Sequence, residues 1–167
     1  SDAQFVCCDL YEAQKFVKEK FDFVFSSYGT IGWLPDLDKW AAVVRNFLKP
    51  NGRFVFAEFH PVVWMLDSQF NLIEYSYFNK ETIIENVPGT YADRNAQIQN
   101  PEITWNHNLA EVPEALLNQG WVLETFQEFD YSPVNCFPNT IQIEEGKFQI
   151  KGLEGKLPMV YGLRMKG

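Results

Sequence analysis

The sequence predicts an α/β fold with a parallel strand pair at its centre, and three observations carry that prediction. Residues 21–61, FDFVFSSYGTIGWLPDLDKWAAVVRNFLKPNGRFVFAEFHP, read as strand, loop, helix, tight turn and strand. Residues 21–25 are almost wholly apolar, as expected of a strand buried on both faces of a parallel sheet. The chain then closes on strand candidates joined by short connections, which suggests an antiparallel pair at the sheet's end. A strand, a crossover helix and a strand in ~40 residues form a right-handed βαβ unit by default.

The helix of that unit spans about residues 36–48. Leu37, Trp40, Ala41, Val44, Phe47 and Leu48 fall on one stripe. Asp36 can cap its start, and Lys49-Pro50-Asn51-Gly52 stops it. Residues 53–59 (RFVFAEF) are the second strand. Ligands of open α/β sheets bind beyond the carboxyl ends of the strands. Those ends are Ser26-Ser27-Tyr28-Gly29 and Glu58-Phe59-His60, and Gly29 and Gly32 suit a loop that a ligand approaches closely. A plain connecting loop is the alternative.

Upstream, residues 4–8 (QFVCC) read as a short strand ending at Asp9. An acid there either caps the next helix or accepts hydrogen bonds from a ligand. Residues 10–20 are helical in pattern. Downstream, residues 62–105 read as an excursion from the main sheet. They hold a turn or short helix at 62–66, extended segments at 70–78 and 82–87, a Pro88-Gly89 turn, a polar loop at 91–101 and a short strand at 103–105. Such excursions are lids, binding loops or packing filler. Residues 108–119 return to helix, with Asn108 and Glu111 spaced as a capping box and Gly120 as the stop; Pro113 fits if the regular helix begins near Val112. A strand at 121–129, a hairpin at 141–150 and a last strand with Leu157, Met159, Tyr161, Leu163 and Met165 on one face complete the chain.

Composition bounds the function. The 167 residues are 46% hydrophobic and 16% aromatic, which is globular in character and fits one domain, 1–167. A net charge of −8, with no basic stripe, argues against nucleic acid. No apolar run approaches a membrane span. The three cysteines, Cys7, Cys8 and Cys136, have no metal-type spacing, and a reducing, cytoplasmic setting follows most simply.

The order strand-Asp, helix, FDFVFSSYGTIGWLPDLDKW, LKPNGRFVFAE, helix and two closing strands resembles the class I S-adenosylmethionine-dependent methyltransferases, from the third strand of their sheet onward. The FD-apolar strand with its polar loop and the LKPNGRFVF strand, correctly spaced, form the specific pair of motifs. The resemblance implies a Rossmann-like sheet without its first two strands, with an antiparallel insertion and terminal pair. It implies S-adenosyl-L-methionine as cofactor and a small-molecule acceptor. Asp9 then matches the acid that receives the adenine amino group, Leu10 contacts the same ring, and Ser26, Ser27 and Tyr28 line the methionine part. The family's Gly-rich loop and ribose-binding acid have no counterpart in these residues, so the chain resembles the carboxyl-terminal two thirds of a family member. Exposed strand edges, weak or no cofactor binding by the chain alone, and pairing between copies through those edges are expected.

Methyl transfer depends mainly on placing two reactants in a dry pocket. Tyr28 and Trp33 are candidates for an aromatic wall near the sulfonium. His60, after a strand end, and His107, in TWNHN before a helix, are the acid/base suspects, though His107 could equally support the lid or bond a carbonyl. Trp64, Tyr77, Tyr91, Trp105 and Tyr131 either line an acceptor pocket or belong to the core. No metal set is expected, and no catalytic base is assigned. The alternatives are a non-catalytic dimerising or partner-binding α/β domain and, more remotely, half of a nicotinamide-dependent oxidoreductase, whose dinucleotide fingerprint is lacking.

Overall fold

The fold is built from a computed structural model, which describes residues 2–89 and 96–167. A four-stranded sheet holds β1 (Phe21–Ser26), β2 (Leu48–Phe59), β8 (Val160–Lys166) and β5 (Val122–Phe129), in the order β1-β2-β8-β5. β1 and β2 are parallel; β8 is antiparallel to both neighbours. The strand, helix and strand expected at residues 21–59 are thus present, and so is the antiparallel close.

Between β1 and β2 runs α1 (Leu37–Phe47), and Asp36 caps it by accepting the Lys39 N–H at 2.9 Å. Its apolar stripe lies against one face of the sheet. Trp40, 1% exposed, packs edge-on to Phe54 at 5.8 Å and Phe56 at 5.4 Å between ring centres. Val112, Ala115 and Leu116 of α2 (Glu111–Asn118) join the same cluster, with Tyr161, Leu163 and Met165 of β8. Gly52 is required where β2 passes the end of α1. A Cβ there would lie 2.8 Å from the Leu48 side chain and 3.0 Å from the Lys49 carbonyl.

Two expectations upstream are corrected. Residues 4–8 form no strand, and Phe5 is 94% exposed. An apolar strand needs a hydrogen-bonded neighbour, and no strand lies beside this one. The helix expected over residues 10–20 is a single 3-10 segment, Leu10–Lys15, capped by Asp9, whose carboxylate accepts the Tyr11 N–H at 2.8 Å. β1 also departs from a doubly buried strand. Val24 packs toward α1, but Phe23 and Phe25 point to the other face and are 55% and 56% exposed. Among the described residues only one face of the sheet is covered at β1, and no strand pairs with its outer edge. Further along that bare face the surface turns polar: Glu124 accepts from Arg53 Nε at 3.0 Å and from Arg164 Nε at 2.8 Å.

The excursion contains an antiparallel pair, β3 (Ile83–Pro88) with β4 (Gln99–Thr104). β4 takes in residues expected to be loop, and residues 70–78 make turns and one isolated bridge, Leu66 to Ile73, in place of a strand. A second hairpin, β6 (Thr140–Glu144) with β7 (Lys147–Ile150), matches the one expected over 141–150. It is tied to the end of β5 through Ser132 and Phe148, which exchange both backbone hydrogen bonds. The Asp130 carboxylate adds a bond from Gln149 Nε2 at 2.8 Å. No helix among the described residues is long and apolar enough to cross a membrane.

Candidate functional site

Parallel pairing puts the carboxyl ends of β1 and β2 side by side, with Ser26 opposite Phe56. The next residues of each strand therefore meet at one rim. There Glu58, 2% exposed, turns its carboxylate under the loop that follows β1. Oε1 accepts the N–H of Gly29 at 2.5 Å and of Phe59 at 2.8 Å; Oε2 accepts those of Thr30 at 2.8 Å and Ile31 at 3.3 Å. A buried carboxylate is tolerable only when its lone pairs are filled, and four N–H groups fill them. The bend that aims three successive amides at one acid needs a left-handed residue, and Gly29 takes φ 74° with open space about its Cα. The sequence placed Glu58 at the carboxyl end of the second strand but gave it no role; its bonds to the loop depend on the pairing of β1 with β2.

Tyr28 stands on this loop, half-exposed, with its ring 5.4 Å from that of Phe59. Burial, with Tyr131 and Glu58 nearby, holds its phenol above the usual range. Trp33 follows in the 3-10 turn Ile31–Trp33 and is exposed. Trp64, in the 3-10 turn Pro61–Met65, packs edge-on to Phe59 at 5.8 Å while 40% of it stays exposed. Tyr28, Phe59 and Trp64 thus form one aromatic run along the rim.

The two histidines have structural partners. His60 is buried and caps the Pro61–Met65 turn: its Nδ1 accepts the Val62 N–H at 3.2 Å. The proton therefore sits on Nε2, which faces Glu128 Oε1 at 2.9 Å. Both ring nitrogens are engaged, which leaves no lone pair for a substrate proton. Burial lowers the pKa of His60, opposed by the Glu128 carboxylate. His107 donates from Nε2 to the Leu34 carbonyl at 2.8 Å, and its Nδ1 lies 3.2 Å from Glu111 Oε2.

The chain returning from the excursion is strapped to the same loop. The Trp105 N–H donates to the Gly32 carbonyl at 2.9 Å, and Asn106 Nδ2 reaches the Trp64 carbonyl at 3.3 Å. Trp105 and His107 therefore reach the rim through backbone and strap contacts. Tyr77 and Tyr131 have partners of their own: the Tyr77 hydroxyl accepts the Leu109 N–H at 3.1 Å, and Lys147 sits 5.1 Å over the Tyr131 ring. Tyr91 lies outside the described residues. Asp9 is exposed, ends no strand and caps the 3-10 turn that follows it; Leu10, half-buried, packs against the α1 cluster. Among the described residues no group of His, Cys, Asp and Glu is placed to hold a metal ion.

Comparison with known proteins agrees with this geometry. Residues 1–56 match the family model described as a methyltransferase domain. A putative S-adenosylmethionine-dependent methyltransferase from Listeria monocytogenes has a similar solved structure, with TM-score 0.56 and 16% identity over 89% of this chain. Similar structures from Clostridium acetobutylicum (TM-score 0.52, 15% identity, 96% of this chain) and Mesorhizobium loti (TM-score 0.50, 15% identity, 89% of this chain) are both S-adenosylmethionine-dependent methyltransferases. The matches cover 62%, 63% and 62% of those three chains, so this chain spans less than two thirds of the structures it resembles. Comparison with curated proteins finds no significant match. The chain has the Rossmann-like fold of the class I S-adenosylmethionine-dependent methyltransferases, and residues 1–56, from Asp9 through the rim of β1 and into β2, match the methyltransferase-domain family.

Proposed function

We propose that the chain is part of an enzyme that moves a methyl group from S-adenosyl-L-methionine to a small-molecule acceptor. The observation that carries this reading is the shared rim of β1 and β2, whose clamped loop at residues 27–31 lies inside the segment that matches the methyltransferase family. The residues present fit the cofactor at that loop. Gly29 leaves its surroundings open, and Tyr28 and Trp33 offer exposed aromatic faces of the kind that attract a cation. Ser26, Ser27 and Tyr28 would hold the amino-acid end, and Asp9 and Leu10 the adenine.

The cofactor supplies a methyl group already activated on a positive sulfur. What this chain adds is placement and exclusion of water. The excursion at residues 62–105, strapped to the loop through Trp105 and Asn106, acts as a cover over the acceptor. Trp64 and Trp105 belong to that cover. His60, its nitrogens engaged, supports the rim and moves no proton. A reducing, cytoplasmic setting fits the odd number of cysteines and their lack of metal-type spacing.

Calorimetric titration of the chain with S-adenosylhomocysteine tests the reading. Weak saturable binding that Tyr28→Ala or Asp9→Ala diminishes supports it. Absence of any binding at millimolar ligand counts for the second reading, a non-catalytic domain that pairs with another copy. That reading draws on the open edge of β1 and the exposed Phe23 and Phe25 beside it.

A further inference from the structure

Glu58 is the one buried acid of the rim, and its hydrogen bonds are unlike those of an ion pair. Three of its four partners are successive amides of the loop after β1, at Gly29, Thr30 and Ile31, and the fourth is Phe59 of its own strand. No basic side chain contacts it among the described residues. The acid's place is set from below by β2, where Phe56 and Phe54 are fully buried and Glu58 pairs with Tyr161 of β8. The loop is therefore fixed to a rigid strand by one side chain. Thr30 adds a bond from its hydroxyl to the Ser27 carbonyl, which closes the turn on itself.

We propose that Glu58 is the positioning residue of the cofactor loop: its carboxylate holds the Gly29, Thr30 and Ile31 amides, and so sets where Ser26, Ser27 and Tyr28 stand. This rests on the methyltransferase reading for the word cofactor, but the clamp itself does not. The chemistry explains why an acid is needed. Three converging N–H groups require an acceptor with no hydrogen of its own, which a carboxylate provides. In Glu58→Gln one of the two oxygens becomes an NH2 that faces donors, leaving at least one buried amide without a partner. Glu58→Asp keeps the charge but shortens the reach by one methylene.

The test uses the whole chain and two independent readouts. Amide hydrogen exchange is followed at Gly29, Thr30 and Ile31, with amides of α1 as the internal reference. Binding of S-adenosylhomocysteine is measured on the same samples. In Glu58→Gln, exchange at the three loop amides is expected to rise at least ten-fold while α1 stays protected, and the affinity is expected to fall about ten-fold or more. Glu58→Asp should fall between Glu58→Gln and the wild type. Leu116→Ala, a core change in α2 that weakens the fold without touching the clamp, should leave both the relative protection of the loop and the affinity near wild type. Unchanged loop exchange in Glu58→Gln overturns the clamp. Raised exchange with unchanged affinity overturns its role in the site. If the wild-type chain binds no S-adenosylhomocysteine, these residues alone do not complete the cofactor site, and the exchange arm still decides whether Glu58 holds the loop.

Discussion

His60 and Glu128 meet across the sheet at 2.9 Å, although 68 residues separate them, and the contact settles which nitrogen of the imidazole carries its proton. Nδ1 is taken by the Val62 amide, so Nε2 donates to the carboxylate. The buried ring stays neutral because charging it there costs more than Glu128 returns.

That arrangement sets a pH dependence. The unfolded chain protonates His60 near its ordinary value of about 6.5, while the folded chain resists until a lower pH. Stability is therefore complete above that unfolded value and declines as pH falls below it, levelling off beneath the folded-state pKa. Urea midpoints between pH 8 and 5 should drop in the wild type. His60→Asn, which keeps an acceptor for the Val62 amide, should flatten that drop.

Gly29 takes a backbone conformation that favours glycine. Its φ of 74° lies in the region that L side chains rarely adopt, and no atom stands within 4 Å of a Cβ there. Gly29→Ala should therefore cost about 1–2 kcal/mol from backbone conformation alone. Equilibrium urea unfolding measures it. Because the Gly29 amide is also held by Glu58, the same variant should speed exchange at Thr30.

The core hinges on Trp40. It fills the space between α1 and the rings of Phe54 and Phe56, almost wholly buried. Trp40→Ala should cost about 3–5 kcal/mol, a large share of the stability of a small domain. Loss of a cooperative thermal transition would be the expected readout.

Self-association should follow the bare face of β1. Phe23 and Phe25 stand exposed beside an unpaired edge. Sedimentation of the wild type should show concentration-dependent pairing, and the double substitution Phe23→Lys with Phe25→Lys should abolish it. Monomeric wild type at high concentration would count against the dimer reading.

Local pattern was enough to locate α1 and its Asp36 cap, the strands on either side of it, the second helix with its Gly120 stop, the terminal hairpin and the last strand. Each follows from periodicity, a cap or a turn within a dozen residues of itself. The loop at Ser26, Ser27 and Tyr28 was legible for the same reason. Pairing was not. Residues 4–8 carry a strand's composition and form none, because a strand exists only with a neighbour, and apolar β1 keeps one face open for want of a second layer. The roles of Glu58 and His60 were equally out of reach, since their partners sit 27 to 29 and 68 residues away; that His107 bonds a backbone carbonyl was one of its expected roles, but the carbonyl, Leu34, lies 73 residues off. Sequence alone determined α1 and its flanking strands, the second helix and the closing strands, and where the tips of β1 and β2 fall. Tertiary structure decided which tips meet and which acid holds the loop, because a hydrogen bond is specified by distance and direction in space, and the chain's local chemistry carries neither across a fold.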